Sequence, residues 1–400
     1  MLSSAHEPVI RATAPVVAGH LDEISSEFYD SLLSENPQLW NVFSRSAQAS
    51  GEQKRALAGA VAGFALSLIG AGPPMNTMFE RVANRHASLG IQPEQYTVVG
   101  RYLMRAVGKV LGDAVTPEVA AAWDEVYWLM ACKFIGMEAR LYATQGVEPT
   151  SSFRDHEVSE RIEEAFETVS FVLTPVDGTA APHFRPGQYV TVAVDLPDGG
   201  RQLRQYSLSQ APGAESLRIT VRRVRGTDGK PDGLVSGHLI EHLHVGSKLP
   251  VSPPFGNLTP QPGHDPLLLI SAGVGITPMA SILGHLAESQ PERQVVAVHA
   301  ERSAERHPLR VEMLQHGSRI QGFQQQVWYE TGAAEGVPSA DVRTGRVLIS
   351  EIPLPDNAEA YLCGPIPFMR GVRAGLLERG VTDDRIRYEV FGSDHWQEAD

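Results

Sequence analysis

His86 and Tyr96 carry the first chemistry in this chain. His86 stands in the stretch Met75–Leu89, where Met75, Phe79, Val82, His86 and Leu89 recur at steps of four, three, four and three and so share one helical face. An imidazole in an apolar stripe near a helix C-terminus is either a hydrogen-bonded core residue or a metal ligand, and burial habit alone favours the core residue. Tyr96 opens the next helical stretch. Further on, Tyr127, Met130, Phe134 and Glu138 step three, four and four, which puts a carboxylate on an inward stripe where it is costly without a partner. The alternative for Glu138 is an ion pair at the rim, with Arg140 for example.

A second group of motifs suits phosphates and flat rings. Gly273-Val274-Gly275-Ile276-Thr277-Pro278 follows the apolar run LLLIS. Glycine lets the backbone approach a phosphate, and Thr277 with Pro278 reads as the cap and first turn of a helix whose free N–H groups favour an anion. The third glycine of the usual dinucleotide fingerprint is missing, and ordinary strand–helix turns use the same residues. Cys363-Gly364-Pro365 ends another apolar run; taken alone, Cys363 reads as a small buried filler, with nothing nearby to activate its thiol. Arg204-Gln205-Tyr206-Ser207, preceded by Arg185-Pro-Gly-Gln-Tyr189, offers a guanidinium for a pyrophosphate, rings for a planar ligand and a hydroxyl for a ring nitrogen. By residue type it could equally be an ordinary exposed strand.

The elements that must position these groups change character along the chain. Residues 1–145 read as helix after helix. One candidate starts at Pro15 and carries Val17, Leu21, Ile24, Phe28 and Leu32. Ser50-Gly-Glu-Gln53 has capping-box form ahead of Leu57, Val61, Phe64 and Leu68, and Thr116-Pro117-Glu118 caps the last helix. Residues 146–157, GVEPTSSFRDHE, read as a linker. Residues 158–265 turn to short runs rich in Val, Ile, Tyr and Thr, namely 168–174, 189–194, 203–208 and 217–224, separated by Gly/Pro turns. That spacing suggests a small antiparallel β-barrel. Residues 266–400 alternate strand and helix, the pattern of an α/β domain with a mainly parallel sheet, in which ligands bind beyond the carboxyl ends of the strands.

Composition narrows the function. The net charge of −13 includes no dense Lys/Arg run, which argues against nucleic acid or anionic membrane as the main partner. Two cysteines in different predicted domains make neither a disulfide framework nor a Cys-ligated zinc site. No secretory signal opens the chain, and the longest apolar run, around Ala56–Gly72, is too short to span a bilayer. A cytoplasmic soluble enzyme or sensor, without stable membrane insertion and monomeric, is the expectation.

In order and spacing, RPGQY, RQYS, GVGITP, CGP and the final Phe391-Gly392 resemble the ferredoxin–NADP reductase family, which pairs an FAD-binding barrel with an NAD(P)-binding domain. The N-terminal helices resemble a bacterial globin, and the fusion of the two is the flavohaemoglobin family. The resemblance covers essentially the whole chain, and implies an all-α globin, an antiparallel β-barrel FAD domain and an α/β NAD(P)-binding domain. It implies haem b, FAD and NAD(P)H as cofactors. His86 becomes the proximal haem ligand, with Tyr96 and Glu138 as partners of its other nitrogen. Phe28, Tyr29, Phe43, Gln53 and Leu57 fall on the distal side, Tyr29 offering its hydroxyl to the bound ligand. For Gln53 the capping role stays open, and Arg85 is either a haem-propionate partner or solvated. Tyr189, Arg204, Gln205, Tyr206 and Ser207 match FAD contacts. Phe391 matches the aromatic beside the flavin, and Gly273 to Pro278 with Cys363-Gly364-Pro365 match the NAD(P) side. Two departures stand out. The family commonly ends Cys-Phe-Gly-Pro where this chain has Val390-Phe391-Gly392-Ser393, and Arg223–Leu234 is longer than the tight turn expected there.

The activity implied is NO dioxygenation: NO and O2 become nitrate with electrons passed from NAD(P)H through FAD to haem. The alternatives are an oxygen- or NO-binding globin sensor with an auxiliary reductase, or a flavin/haem reductase of peroxides. Glu301, Arg302 and Ser303, after the predicted strand 294–299, leave NADH and NADPH both open, since an acid favours a ribose diol while Arg and Ser favour a 2′-phosphate.

Overall fold

The computed structural model describes residues 2–41, 52–72, 75–196, 200–226, 232–331 and 341–392. Phe43, Ser393 and the Ser50-Gly51 start of the expected capping box lie outside the described residues, as does the side chain of Gln53. The chain forms two compact units. One is built on Met1–Ser152, with which Asp195–Leu203 groups; the other is built on Phe153–Val194 and Arg204–Gly392.

The first unit is helical: α1 (Glu7–Gly19), α2 (Leu21–Glu35), α3 (Glu52–Leu68), α4 (Asn76–Leu89), α5 (Pro93–Leu111) and α6 (Pro117–Gln145). The single helix expected from Pro15 is two. Pro15 lies inside α1, which runs through it because Ile10, Ala14 and Val17 bury one face on both sides of the proline, and the chain breaks after Gly19. The helices around the histidine stop and start where their sequences dictate. Gly90 takes the left-handed conformation (φ 73°) that ends α4, its N–H reaching the carbonyls of Ala87 and His86. Two residues on, Gln92 and Gln95 form a reciprocal capping box with Pro93 in the first turn of α5. Thr116 caps α6 by accepting from Val119 N at 3.3 Å. Phe28, Phe79, Trp123 and Tyr127 fill the core. Where α5 and α6 pack, the Tyr127 ring lies so close to Gly100 that a Cβ there would come within 2.4 Å of it.

The second unit holds both sheets, apart from Asp195 and residues 201–203, which group with the first. The antiparallel sheet runs β4-β3-β6-β1-β2-β5, from β1 (Arg154–Ala165), β2 (Thr168–Pro175), β3 (Tyr189–Asp195), β4 (Arg201–Ser207), β5 (Leu217–Arg222) and β6 (Lys248–Val251). A bridge between Leu208 and Ile219 brings the end of β4 to β5 and closes the barrel. Its core includes Val158, Phe171, Leu173, Val192, Ile219 and Leu249. The β1 strand begins at Arg154, inside the stretch expected to be linker, because His156 and Val158 point inward while charged neighbours point out. A helix, α7 (Leu234–His242), follows the long Arg223–Leu234 segment, whose ends are pinned by Gly233 N to Val224 O at 2.9 Å and Gly226 N to Asp232 Oδ1 at 2.8 Å.

The parallel sheet runs β10-β9-β8-β7-β11-β12, from β7 (Leu267–Ala272), β8 (Val295–Glu301), β9 (Gln324–Tyr329), β10 (Asp341–Thr344), β11 (Glu359–Cys363) and β12 (Ile386–Glu389). Helices α8 (Ile276–Ser289), α9 (Arg310–Gly317) and α10 (Ile366–Glu378) belong to this half. Strand order reverses between β7 and β11, and a crevice for ligand opens at such a switch point. The two loops leaving these strands touch: a Cβ on Gly275 would fall 2.3 Å from the carbonyl oxygen of Cys363. The cap expected at Thr277 does not form: Gly275 occupies the N-cap position of α8 without a side-chain cap, and Thr277 Oγ1 donates to Val274 O at 3.0 Å inside the first turn.

Gly275→Ala therefore meets backbone that cannot yield, and it should lower unfolding free energy by about 1–3 kcal/mol. Gly371→Ala, on the exposed face of α10 with open space around it, should be neutral or stabilising by up to about 1 kcal/mol. Urea midpoints of the two variants test this; equal shifts would remove the close-packed switch point from the account.

Candidate active site

The helical unit brings His86, Tyr96 and Glu138 together. His86 Nδ1 lies 2.8 Å from Glu138 Oε1 and 2.8 Å from the Tyr96 hydroxyl, and that hydroxyl donates to the same Oε1 at 2.6 Å. Glu138 is 2 % exposed. A carboxylate only accepts, so the imidazole donates from Nδ1 and its Nε2 is the nitrogen left to face a ligand. Burial first, then the charge of Glu138 and the hydrogen bond to it, push the Tyr96 hydroxyl well above its ordinary range, so it stays a donor. Tyr127 OH donates to the Tyr96 carbonyl at 2.5 Å and Tyr142 OH to the Ile91 carbonyl at 3.0 Å, which ties α6 to the start of α5. The Phe134 ring stacks on Tyr96 and lies 5.6 Å from His86. Nε2 has no hydrogen-bond partner among the described residues. The rim pairing of Glu138 with Arg140 is not what forms. An imidazole oriented by a carboxylate through Nδ1, its second nitrogen open, is the donor set that an iron porphyrin takes.

On α2, Tyr29 is buried with its ring edge-on to Phe28 at 4.8 Å, and burial pushes its hydroxyl well above the usual range. Leu57 on α3 and Arg85 on α4 are half-buried.

In the barrel, Tyr189 is set by a pair of 2.8 Å backbone bonds with Phe255. Gln188 Oε1 accepts from Arg185 N at 2.8 Å, and its Nε2 donates to Gly256 O at 3.3 Å. Gly187 (φ 90°) has no room for a Cβ, which would fall 2.0 Å from the Leu258 carbonyl. The RPGQY motif is thus a rigid corner. Beside it on β4, burial lowers the affinity of the Arg204 guanidinium for its proton and raises the Tyr206 hydroxyl. Ser207 Oγ is buried with no partner among the described residues. A desolvated cation and an orphaned hydroxyl beside aromatic rings fit the pyrophosphate and ring edge of a flavin nucleotide.

At the parallel sheet, Gly273 to Pro278 and Cys363-Gly364-Pro365 meet at the switch point. Cys363 is fully buried, and burial raises its thiol well above the ordinary value, so it is no nucleophile. Val390 is buried and β12 ends at Glu389, leaving Phe391 45 % exposed and Gly392 beside it.

A buried histidine pair lies outside the expected site residues. His299 and His307 stack with ring centroids 4.3 Å apart, Nδ1 of one 2.9 Å from Ser271 Oγ and of the other 2.9 Å from Tyr329 OH. Both are buried near the carboxyl ends of β7, β8 and β9, and both Nε2 atoms lack partners among the described residues. The clue was available: His299 interrupts an apolar run as His86 does.

These two halves define a class, a globin joined to a pyridine-nucleotide reductase. The family models agree: residues 26–132 match the globin family and residues 269–374 the oxidoreductase NAD-binding domain. The chain is 37% identical to a flavohemoprotein of Rhizobium meliloti over 100% of both chains. To one of Chromobacterium violaceum it is 40% identical over 98% of this chain and 99% of the other. A crystal structure of a flavohemoglobin from Malassezia yamatoensis with bound FAD and heme superposes with a TM-score of 0.88 at 36% identity, covering 98% of this chain and 100% of that one. The FAD/NAD-binding domain of nitric oxide dioxygenase from Vibrio cholerae matches at 40% identity and a TM-score of 0.56, over 60% of this chain and 98% of that one. The chain belongs to the flavohemoprotein family.

The buried imidazoles set a pH dependence. Burial, then neighbouring positive charge, lowers His307 from 6.5 to about 3 and His299 well below 6.5. With folded values below unfolded ones, the stability they contribute is complete above about pH 6.5 and is lost as pH falls towards 3, at up to about 1.4 kcal/mol per pH unit for each group. His307→Gln should flatten the acid limb of a plot of unfolding free energy against pH; a limb of unchanged slope would contradict the assignment.

Proposed function

We propose that this protein is an NAD(P)H-driven nitric oxide dioxygenase that converts NO and O2 to nitrate. The observation that carries the reading is the buried Glu138–Tyr96–His86 cluster in one chain with a reductase module. The likeness of that module to the FAD/NAD-binding domain of the Vibrio cholerae nitric oxide dioxygenase supports it. When bound, FAD would convert hydride to single electrons and haem would carry the gas chemistry.

The residues would divide the work as follows. His86 would hold the haem through Nε2, and Glu138 and Tyr96 would fix its tautomer and make it a stronger donor. Tyr29, kept protonated by burial, donates a hydrogen bond where negative charge develops on the distal side. Phe28 and Leu57 shape that side, with Phe43 and Gln53 as further distal candidates and Arg85 as a propionate partner. Arg204 would neutralise the flavin pyrophosphate. Tyr189, Gln205, Tyr206 and Ser207 would hold the ring and its edge, and Phe391, with Val390 and Gly392 beside it, would cover it, with Ser393 as a further candidate. Gly273 to Pro278 and Cys363-Gly364-Pro365 receive NAD(P)H at the switch point.

Rapid mixing of the reduced, oxygenated protein with NO tests this: nitrate should form in stoichiometric amount with renewed NAD(P)H oxidation. Tyr29→Phe should slow NO consumption by about one to two orders of magnitude, in line with loss of one preorganised donor, with flavin reduction as the reference rate. NO binding without nitrate would favour a sensor, and turnover that survives His86→Ala would favour a flavin reductase.

A further inference from the structure

We propose that the reductase half selects NADPH over NADH, with Arg302 and Ser303 as the subsite for the 2′-phosphate; this rests on the NAD(P)H reading of the switch-point crevice. In such sheets the adenosine ribose meets the end of the second strand, where an acidic side chain reads the ribose diol and an arginine accommodates a 2′-phosphate. Here the second strand is β8, and it ends in an acid, Glu301.

Glu301 is withdrawn from that role. Its Oε2 accepts from Arg222 Nη2 at 2.7 Å and its Oε1 from the Arg302 backbone N–H at 2.9 Å, and its side chain is 3% exposed. Both oxygens already have charged or backbone donors, and little of either faces solvent. Arg222, at the end of β5, is itself fixed: Nε donates to Thr168 Oγ1 at 3.1 Å and Nη2 to the Arg306 carbonyl at 2.5 Å. Its Nη1 lies 3.2 Å from where a Cβ on Gly273 would stand, at the lip of the phosphate loop. The barrel thus neutralises the acid and adds a cation beside the pyrophosphate position.

Among the described residues, what remains open at the end of β8 is cationic. Arg302 is exposed and its guanidinium has no partner among the described residues, while Thr331 N and Oγ1 hold its carbonyl at 2.9 and 3.0 Å. Ser303 follows in extended backbone, half-buried. Neighbouring carboxylates are drawn elsewhere: Glu330 lies 3.8 Å from Arg346, and Glu167 takes Arg225 and lies 3.9 Å from Arg306. Among the described residues, the carboxylate left near the turn without such a partner is that of exposed Glu305. A fork of N–H donors beside a hydroxyl matches a phosphate dianion and offers nothing particular to a diol.

The test compares adenosine 2′,5′-bisphosphate with 5′-AMP, which differ only in the 2′-phosphate, by titration calorimetry on the full-length protein. The bisphosphate should bind about ten- to a hundredfold more tightly, the range for charge-assisted hydrogen bonds. Arg302→Ala should shrink that ratio by about tenfold or more, and Arg302→Lys should keep part of it as a point charge. The ratio NADPH/NADH in kcat/KM for anaerobic flavin reduction should move with it, and both nucleotides report on the same flavin. Equal binding, tighter 5′-AMP, or a ratio that ignores Arg302→Ala overturns the proposal and leaves the NAD(P)H reading standing. Binding of neither nucleotide contradicts that reading and the proposal together.

Discussion

A carboxylate in the middle of a helical core has to be satisfied, and Glu138 organises its half of the chain around that requirement. An uncompensated charge there would cost several kcal/mol. Two donors converge on one of its oxygens, the Tyr96 hydroxyl and the His86 Nδ1–H, and each comes from a different helix. The arrangement needs α4 to stop at Gly90, α5 to start within three residues and α6 to run past both. The left-handed glycine, the capping box and Gly100 beneath the Tyr127 ring are the local devices that do this. The chemical product is a single open nitrogen with a defined tautomer.

The reductase half rests on a different constraint, close backbone approach. Gly187 against Leu258, and Gly275 against Cys363, leave no volume for a side chain. These contacts turn two loops into a fixed crevice. Charge then follows geometry: Arg204 is desolvated in the barrel, and Arg222 reaches from the barrel to the end of β8. One side of the crevice is therefore built by a different element from the sheet that it serves.

The sequence made the proximal cluster legible because helices report contacts through spacing. His86, Tyr127, Phe134 and Glu138 all announced their faces at steps of three and four. The barrel and sheet were legible as strand runs bounded by Gly/Pro turns. Less could be read where the cue was weak. The β1 strand hides behind seven charged residues in twelve, and β6 is four residues long. Pro15 looked like a start because proline favours first turns, yet burial on both sides carried α1 through it. Contacts far apart in sequence left no trace: the Arg222–Glu301 pair spans 79 residues. Reading Glu301, Arg302 and Ser303 as a string could not tell which of them was already occupied.

If Glu138 and Tyr96 act by making His86 a stronger electron donor, the bond from His86 to haem iron must report it. Resonance Raman spectroscopy of the ferrous protein measures that bond directly through the iron–histidine stretch. The account predicts a lower frequency in Glu138→Gln than in the parent protein, because an amide oxygen is a weaker acceptor for the Nδ1–H than a carboxylate. An unchanged frequency in a variant that still binds haem would contradict it.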